Sequence, residues 1–218
     1  MPIGQTSAQM ALRDPGIRLM LRVRDDDPAA FGELVEEYQH RVVGVLYHVL
    51  GNSEEAEDMA QETFLRVYRN RKKYRPKAKF ATWLFTIANH LALNSIRDRR
   101  KRYTVPLGPT DSQAMNVAPV DRLEQNRHPA PTQKIQHSEL TDQIRTALDS
   151  LNERQKIAVL LNKFEEMSYD EIANVMGLSS KAVKSLLSRA RAKLREVLQP
   201  YIYMDGDAPP RDDVEEGD

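Results

Sequence analysis

The sequence contains no cysteine. That excludes disulfides and thiolate metal sites, and it suits a reducing compartment. No run of about 18 apolar residues is present, so no segment is expected to span a membrane. The opening residues, MPIGQTSAQMALRDPG, lack a basic start followed by an apolar block. No secretory signal is expected there, and the expected location is cytoplasmic. Alternating apolar residues are also missing, so no strand is predicted. The five histidines (His40, His48, His90, His128 and His137) are scattered without metal-ligand spacing. Neither a phosphate-binding loop nor a nucleophile motif appears. An enzyme is therefore not expected, nor is a cofactor or a bound metal.

Net charge is absent as well, because 32 basic and 32 acidic side chains cancel. The cancellation hides a strong segregation. Residues 66–102 hold thirteen Lys or Arg against the single acid Asp98. The stretch KAVKSLLSRARAKLRE, residues 181–196, carries six cations and no acid until Glu196. Residues 204–218 hold seven acids against Arg211. Local fields of this strength suit a polyanionic partner better than a neutral total suggests.

Apolar spacing is helical nearly throughout, so the fold class is all-α. Asp14 and Pro15 open a short helix through Ile17, Met20 and Leu21. Asp27 and Pro28 have the N-cap and first-position pattern for a long one, which Gly51 stops. Ser53 is expected to open the next helix. Its first turn is acidic and its end basic, as the helix dipole favours. A helix from Phe80 through Trp83, Leu84 and Leu91 ends in RDRRKR. Residues 104–137 contain five prolines and no periodicity, and read as a flexible linker. The organisation is a tail at 1–13, a helical bundle at 14–103, the linker, a second helical domain at 138–202 and a disordered acidic tail at 203–218.

Within the second domain, Ser168 and Glu171 have capping-box spacing, Gly177 suits a left-handed helix end, and Ser179 can cap the helix after it. Two helices around a short glycine turn form a helix-turn-helix pattern. On the second of them, Val183, Leu186, Leu187, Ala190 and Leu194 share one arc. Lys181, Lys184, Ser185, Ser188 and Arg189 fall on the other side, with Ala192 and Arg195. Cations and hydroxyls of modest bulk on one face suit a helix entering a major groove. A merely solvated basic face is the plainer alternative; the capped helix and glycine turn before it favour DNA. In the first domain, the basic run is interleaved with Phe64, Tyr68, Tyr74, Phe80, Trp83 and Phe85, a composition suited to single-stranded nucleic acid. Phe64, Tyr68, Phe80 and Trp83 lie on apolar stripes, so the exposed candidates are in the loop Tyr74–Lys79.

Four blocks occur in order: DPAAFGELVEEYQHRV, EEAEDMAQETFLRVYRN, FATWLFTIANHLALNSIRDRRKR and LDSLNERQKIAVLLNKFEEMSYDEIANVMGLSSKAVKSLLSRARAKLRE. Together they resemble the signature blocks of bacterial extracytoplasmic-function (ECF) sigma factors over residues 15–200. The resemblance implies an initiation subunit of RNA polymerase rather than an enzyme. The 14–103 unit would be sigma region 2, which binds the polymerase clamp and opens and reads the −10 element. The 138–202 unit would be region 4, which reads the −35 element as duplex.

The resemblance places polymerase binding on Asp58, Gln61 and Glu62. It places −35 contacts on Lys184, Ser185, Ser188 and Arg189, with Lys181 beside them. For the −10 element it points to the loop residues Tyr74, Arg75, Lys77 and Lys79, then to His90 and Asn94. His90 stands where relatives carry asparagine. Implied partners are core RNA polymerase, duplex −35 DNA and single-stranded −10 DNA; an anti-sigma factor is common in the family. A repressor with a helix-turn-helix would need a dimer or sensor domain in place of the aromatic–basic one. A relaxed linker of about 35 residues spans about 30–35 Å, whereas the two promoter elements lie roughly 70 Å apart. The free domains are therefore expected at variable, mostly shorter separation, to be fixed apart on polymerase.

Overall fold

The computed structural model describes residues 13–103 and 143–202. The linker, both predicted tails apart from Arg13, and the start of the second domain lie outside them. The described chain runs α1 (Pro15–Arg24), α2 (Ala30–Leu50), α3 (Ser53–Arg69), a 3-10 turn (Arg71–Lys73) and α4 (Phe80–Tyr103). After the linker come α5 over 143–149, then α6 (Glu153–Lys163), α7 (Tyr169–Met176) and α8 (Ser180–Ile202). No strand occurs among the described residues.

The local signals act as expected at most helix ends. At α2 the start is shifted: Asp27 Oδ1 accepts from the amides of Ala29 (3.0 Å) and Ala30 (3.3 Å) in the turn just ahead of the helix, and Ala29, not Asp27, is the N-cap. Gly51 (φ 76°) and Gly177 (φ 64°) end α2 and α7 in the left-handed region, where a side chain is strained. Complete capping boxes open α6 (Asn152 with Gln155) and α7 (Ser168 with Glu171). Ser179 Oγ accepts from the Ala182 amide at 3.2 Å. Ser53 is the first residue of α3, as expected, and Asn52 before it is the cap, its side chain accepting from the Glu55 amide at 2.8 Å. Both residues are good caps, and the carboxamide is the one in reach.

Asp14 does more than open α1. Its Oδ1 accepts from Gly16 (2.8 Å) and Ile17 (3.3 Å), and its Oδ2 accepts from the Phe80 amide at 2.8 Å. One carboxylate thus terminates two helices 66 residues apart. Gly16 makes the approach possible, since a Cβ there would collide with the Tyr38 hydroxyl and would meet Phe80 at 2.8–2.9 Å. Asp14→Ala would remove a cap and orphan the amide of buried Phe80. The expected loss is about 2–4 kcal/mol of stability, measurable by denaturant unfolding. A loss under about 0.5 kcal/mol would show that the two ends hold without it.

The two domains pack against each other. Helix α4 is apolar on two sides. Phe80 and Leu84 are buried in the first bundle, with Phe80 edge-on to Tyr38 at 5.0 Å. Phe85, Ala88, Asn89 and Ala92 instead line a seam that also holds Val45 and Val49 of α2 and Ile157 and Leu161 of α6. Phe85 is 1% exposed. A flexible tether does not keep two domains apart when both carry apolar surface, and a face of this kind left open to water is uncommon on a monomer.

Polar contacts border the seam. The Arg41 guanidinium meets Glu165 at 2.5 Å (Nη2) and 3.1 Å (Nε), and the Glu165 side chain is only 2% exposed. Lys79 pairs with Glu171 at 3.0 Å, and Arg100 pairs with Glu153. The Asn89 amide donates to the Val175 carbonyl at 3.2 Å. Arg145 donates to the Tyr47 hydroxyl at 2.7 Å.

His48 sits at this border, its ring stacked on Phe164 at 6.4 Å. Burial, then the nearby Arg145 and Lys156, hold the imidazole below its ordinary 6.5, against the weaker pull of Asp149. The unfolded imidazole gains its proton near pH 6.5, the folded one only lower. Stability is therefore full above about pH 6.5 and declines as pH falls through that interval. Melting temperatures from about pH 7.5 to 5.5 should drop less steeply for His48→Gln than for the parent chain. Parallel slopes would assign the acid sensitivity to other groups.

Candidate nucleic-acid interface

Helix α8 is held from behind. Val183, Leu187 and Ala190 are buried at 0–1% exposure, and Leu186 and Leu194 pack partly against the same core. The tight turn after Gly177 fixes α8 against α7, and the Ser180 hydroxyl is bonded to Asp170. Lys181, Lys184, Ser185, Ser188 and Arg189 are all exposed on the outer side, with Ala192 and Arg195. The structure therefore brings this predicted set onto one face. Arg189 Nε leans to the Ser185 carbonyl at 3.4 Å, along its own helix. Leu186 stays on the core side, as its angle predicts.

The residues assigned to the −10 element divide. His90 and Asn94 are exposed one turn apart on α4, and Arg75, Lys77 and Lys79 are exposed in the preceding loop. Tyr74 is different. Its ring is 4% exposed and packs against Trp83 at 4.8 Å and Phe80 at 6.4 Å. Tyr74 is corrected from an exposed stacking ring to a core ring, and burial pushes its hydroxyl well above the ordinary value of 10.0. The turn Arg71–Lys73 rotates it inward, a reversal with no periodicity to betray it. Lys79 is not a free cation, since Glu171 neutralises it. Burial raises the Glu171 carboxyl, but the Ser168 amide and the Lys79 ammonium outweigh it and leave the group below its ordinary value.

On α3, Asp58 and Gln61 are exposed, and Glu62 is beside them, accepting from Arg66 at 2.7 Å. That hydrogen bond holds the Glu62 carboxyl below its ordinary value. The same side continues into Leu65 and Tyr68, which are 47% and 42% exposed. The apolar stripe predicts Tyr68 in the core; it lies instead between Phe31 (4.9 Å) and the Arg71 guanidinium (4.0 Å). Its apolar neighbours on the stripe point inward, and only Arg66 and Arg69 nearby hint at a surface position. Among the described residues, no group of His, Asp and Glu could hold a metal ion, and no helix is long and apolar enough to cross a membrane.

Residues 34–102 match the family Sigma-70 region 2, and residues 141–194 match Sigma-70, region 4. The RNA polymerase sigma-H factor of Pseudomonas aeruginosa is 30% identical over 198 residues, covering 88% of this chain and 98% of that one. The ECF RNA polymerase sigma-E factor of Salmonella typhimurium is 30% identical over 185 residues, covering 84% and 94%. The chain belongs to the ECF RNA polymerase sigma factors. As an ECF sigma factor it is a DNA-binding factor of transcription initiation. Its fold is shared with the sigma factor RpoE of Bartonella quintana, solved in complex with the anti-sigma factor NepR. That structure matches with a TM-score of 0.57 at 22% identity, covering 78% of this chain and 98% of the other.

Proposed function

We propose that this sigma factor binds core RNA polymerase through the outer side of α3 and reads promoters with α8 and α4. Residues 14–103 act as region 2 and residues 138–202 as region 4. Asp58, Gln61 and Glu62 meet a basic and polar polymerase surface. Lys181, Lys184, Ser185, Ser188 and Arg189 read the −35 element in the major groove of duplex DNA. Arg75 and Lys77 track the −10 phosphates, while His90 and Asn94 offer hydrogen-bonding groups to its bases. The observation that carries the reading is the cation-and-hydroxyl face of α8, exposed over a buried and capped helix-turn-helix. An anti-sigma factor is a further partner, supported by the RpoE–NepR complex of the same fold.

The polymerase assignment has its own test. Asp58→Ala with Gln61→Ala changes two exposed side chains on a helix that alanine favours. Binding of core polymerase, measured with a labelled chain, should weaken by about tenfold or more, as for the loss of one to two polar interface contacts of about 1 kcal/mol or more each. Circular dichroism and melting should be nearly unchanged. Unaltered affinity would remove this side of α3 from the interface.

A further inference from the structure

The start of the loop Tyr74–Lys79 alternates. Tyr74 and Pro76 are buried, whereas Arg75 and Lys77 are exposed. Tyr74 has an extended backbone (φ −60°, ψ 130°), and in extended chain successive side chains point to opposite sides. The phase of the alternation therefore decides whether the two cations face outward. Tyr74 sets that phase by packing on Trp83 at 4.8 Å, and the 3-10 turn Arg71–Lys73 delivers it there. The turn is in turn held by the corner between α1 and α2. Asp26 has φ 65°, a left-handed backbone that is uncommon outside glycine. From that position its carboxylate accepts from Lys72 and, at 3.3 Å, from Arg71 Nε. Lys72 Nζ also donates to the Arg24 carbonyl at 2.8 Å, at the C-terminal end of α1, where a cation suits the helix dipole. Arg71 lies over the Tyr68 ring at 4.0 Å and donates to the Tyr68 carbonyl at 3.1 Å. At the far end of the loop, the Phe80 amide is bonded to Asp14. Two acids that bracket α1 thus hold the two ends of the loop.

We propose that Asp26 is a positioning residue for promoter opening: by holding Lys72 and Arg71 it fixes the turn that sends Tyr74 inward, and so keeps Arg75 and Lys77 facing the −10 strand. This rests on the −10 role proposed above for the loop. Asp26 itself touches no DNA; it acts through the turn. Exposed ion pairs contribute little to stability, and Asp26 is itself exposed. A residue kept in a strained backbone for such a pair is better explained by what the pair aims than by the stability it adds. The opposite role would be a mask, with Asp26 screening Lys72 and Arg71 from DNA. The two roles differ in sign. Removing a positioning acid weakens opening, whereas removing a mask frees two cations and strengthens it.

Asp26→Asn removes the charge with a residue that tolerates left-handed backbone. Asp26→Gly removes the side chain and relieves the backbone. Opening by the full chain with core polymerase, read as permanganate reactivity of −10 thymines on a promoter that the parent chain uses, should fall by about tenfold or more for both, as for the loss of one charge-assisted contact. Melting temperature and binding of duplex −35 DNA should hardly change. Trp83 is the one tryptophan of the chain, and iodide should quench it more strongly in both variants as Tyr74 leaves it. Arg71→Gln with Lys72→Gln breaks the same hold from the other side. It should give a similar fall, with little further loss when Asp26→Asn is added. Unchanged opening in Asp26→Asn would overturn the proposal, and stronger opening would make Asp26 a mask. A fall matched by lower melting and weaker −35 binding would overturn it as general destabilisation. A fall without a change at Trp83 would overturn the route through Tyr74. Arg75→Ala with Lys77→Ala separates the two readings. Normal opening by that pair would refute the −10 role of the loop and the proposal with it. Weak opening by that pair beside normal opening by Asp26→Asn would refute the positioning role alone.

Discussion

Replacing Lys184 and Arg189 together with alanine is expected to reduce −35-dependent initiation by about 30-fold or more. A base-reading arginine or lysine typically contributes about 1–3 kcal/mol of discrimination, and a phosphate contact adds affinity for every sequence. Two such losses sum to at least about 2 kcal/mol, and each 1.4 kcal/mol is tenfold. Folding should be spared. Both side chains are exposed, and the residues that hold α8 in place are Val183, Leu187 and Ala190. Alanine is also a better helix former than either. Initiation on a −35-dependent promoter, read beside the melting temperature, separates the two effects. Unchanged initiation with unchanged melting would take α8 out of promoter reading.

The largest expected effect on stability belongs to Phe85. Its ring lines the seam together with Val45 and Val49 of α2 and Ile157 and Leu161 of α6. Phe85→Ala deletes an almost fully buried ring and leaves a cavity, a change that costs about 3–5 kcal/mol. For a chain of this size, each kcal/mol lowers the melting temperature by about 2–4 °C, so a fall of about 6–20 °C is expected. Because the ring joins the domains, the single transition should also separate into two. Phe85→Leu keeps most of the volume and should lose much less. A fall of only about 1–2 °C for Phe85→Ala would mean that the ring is not packed in the seam.

The helices are legible from sequence because their signals are local. Capping side chains, left-handed glycines and apolar spacing act within one or two turns. Gly51, Asn152, Ser168 and Gly177 all occupy the positions their chemistry predicts. The outer face of α8 is legible for the same reason: one periodicity fixes which side chains point away from a core. Contacts between distant segments are not legible in this way. Asp14 caps α4 across 66 residues, and nothing in the spacing of either segment announces it. Tyr74 turns inward because of a 3-10 turn, and Tyr68 stays outside although it continues an apolar stripe. The domain seam does leave a trace. Phe80, Leu84, Phe85, Ala88, Leu91 and Ala92 make α4 apolar on two sides, and a helix apolar on more than one side is buried by more than one neighbour. The composition of the linker argues for separate domains, but it says nothing about the surfaces that the linker joins. The second apolar side of α4 is the signal that decides the packing.

Transcription from a defined promoter with purified core polymerase tests the central claim most directly. Core polymerase alone should give no promoter-dependent start. Adding the purified chain should give a discrete start whose yield falls when either the −35 or the −10 element is scrambled. Binding of the chain to polymerase without any element-dependent start would contradict the account.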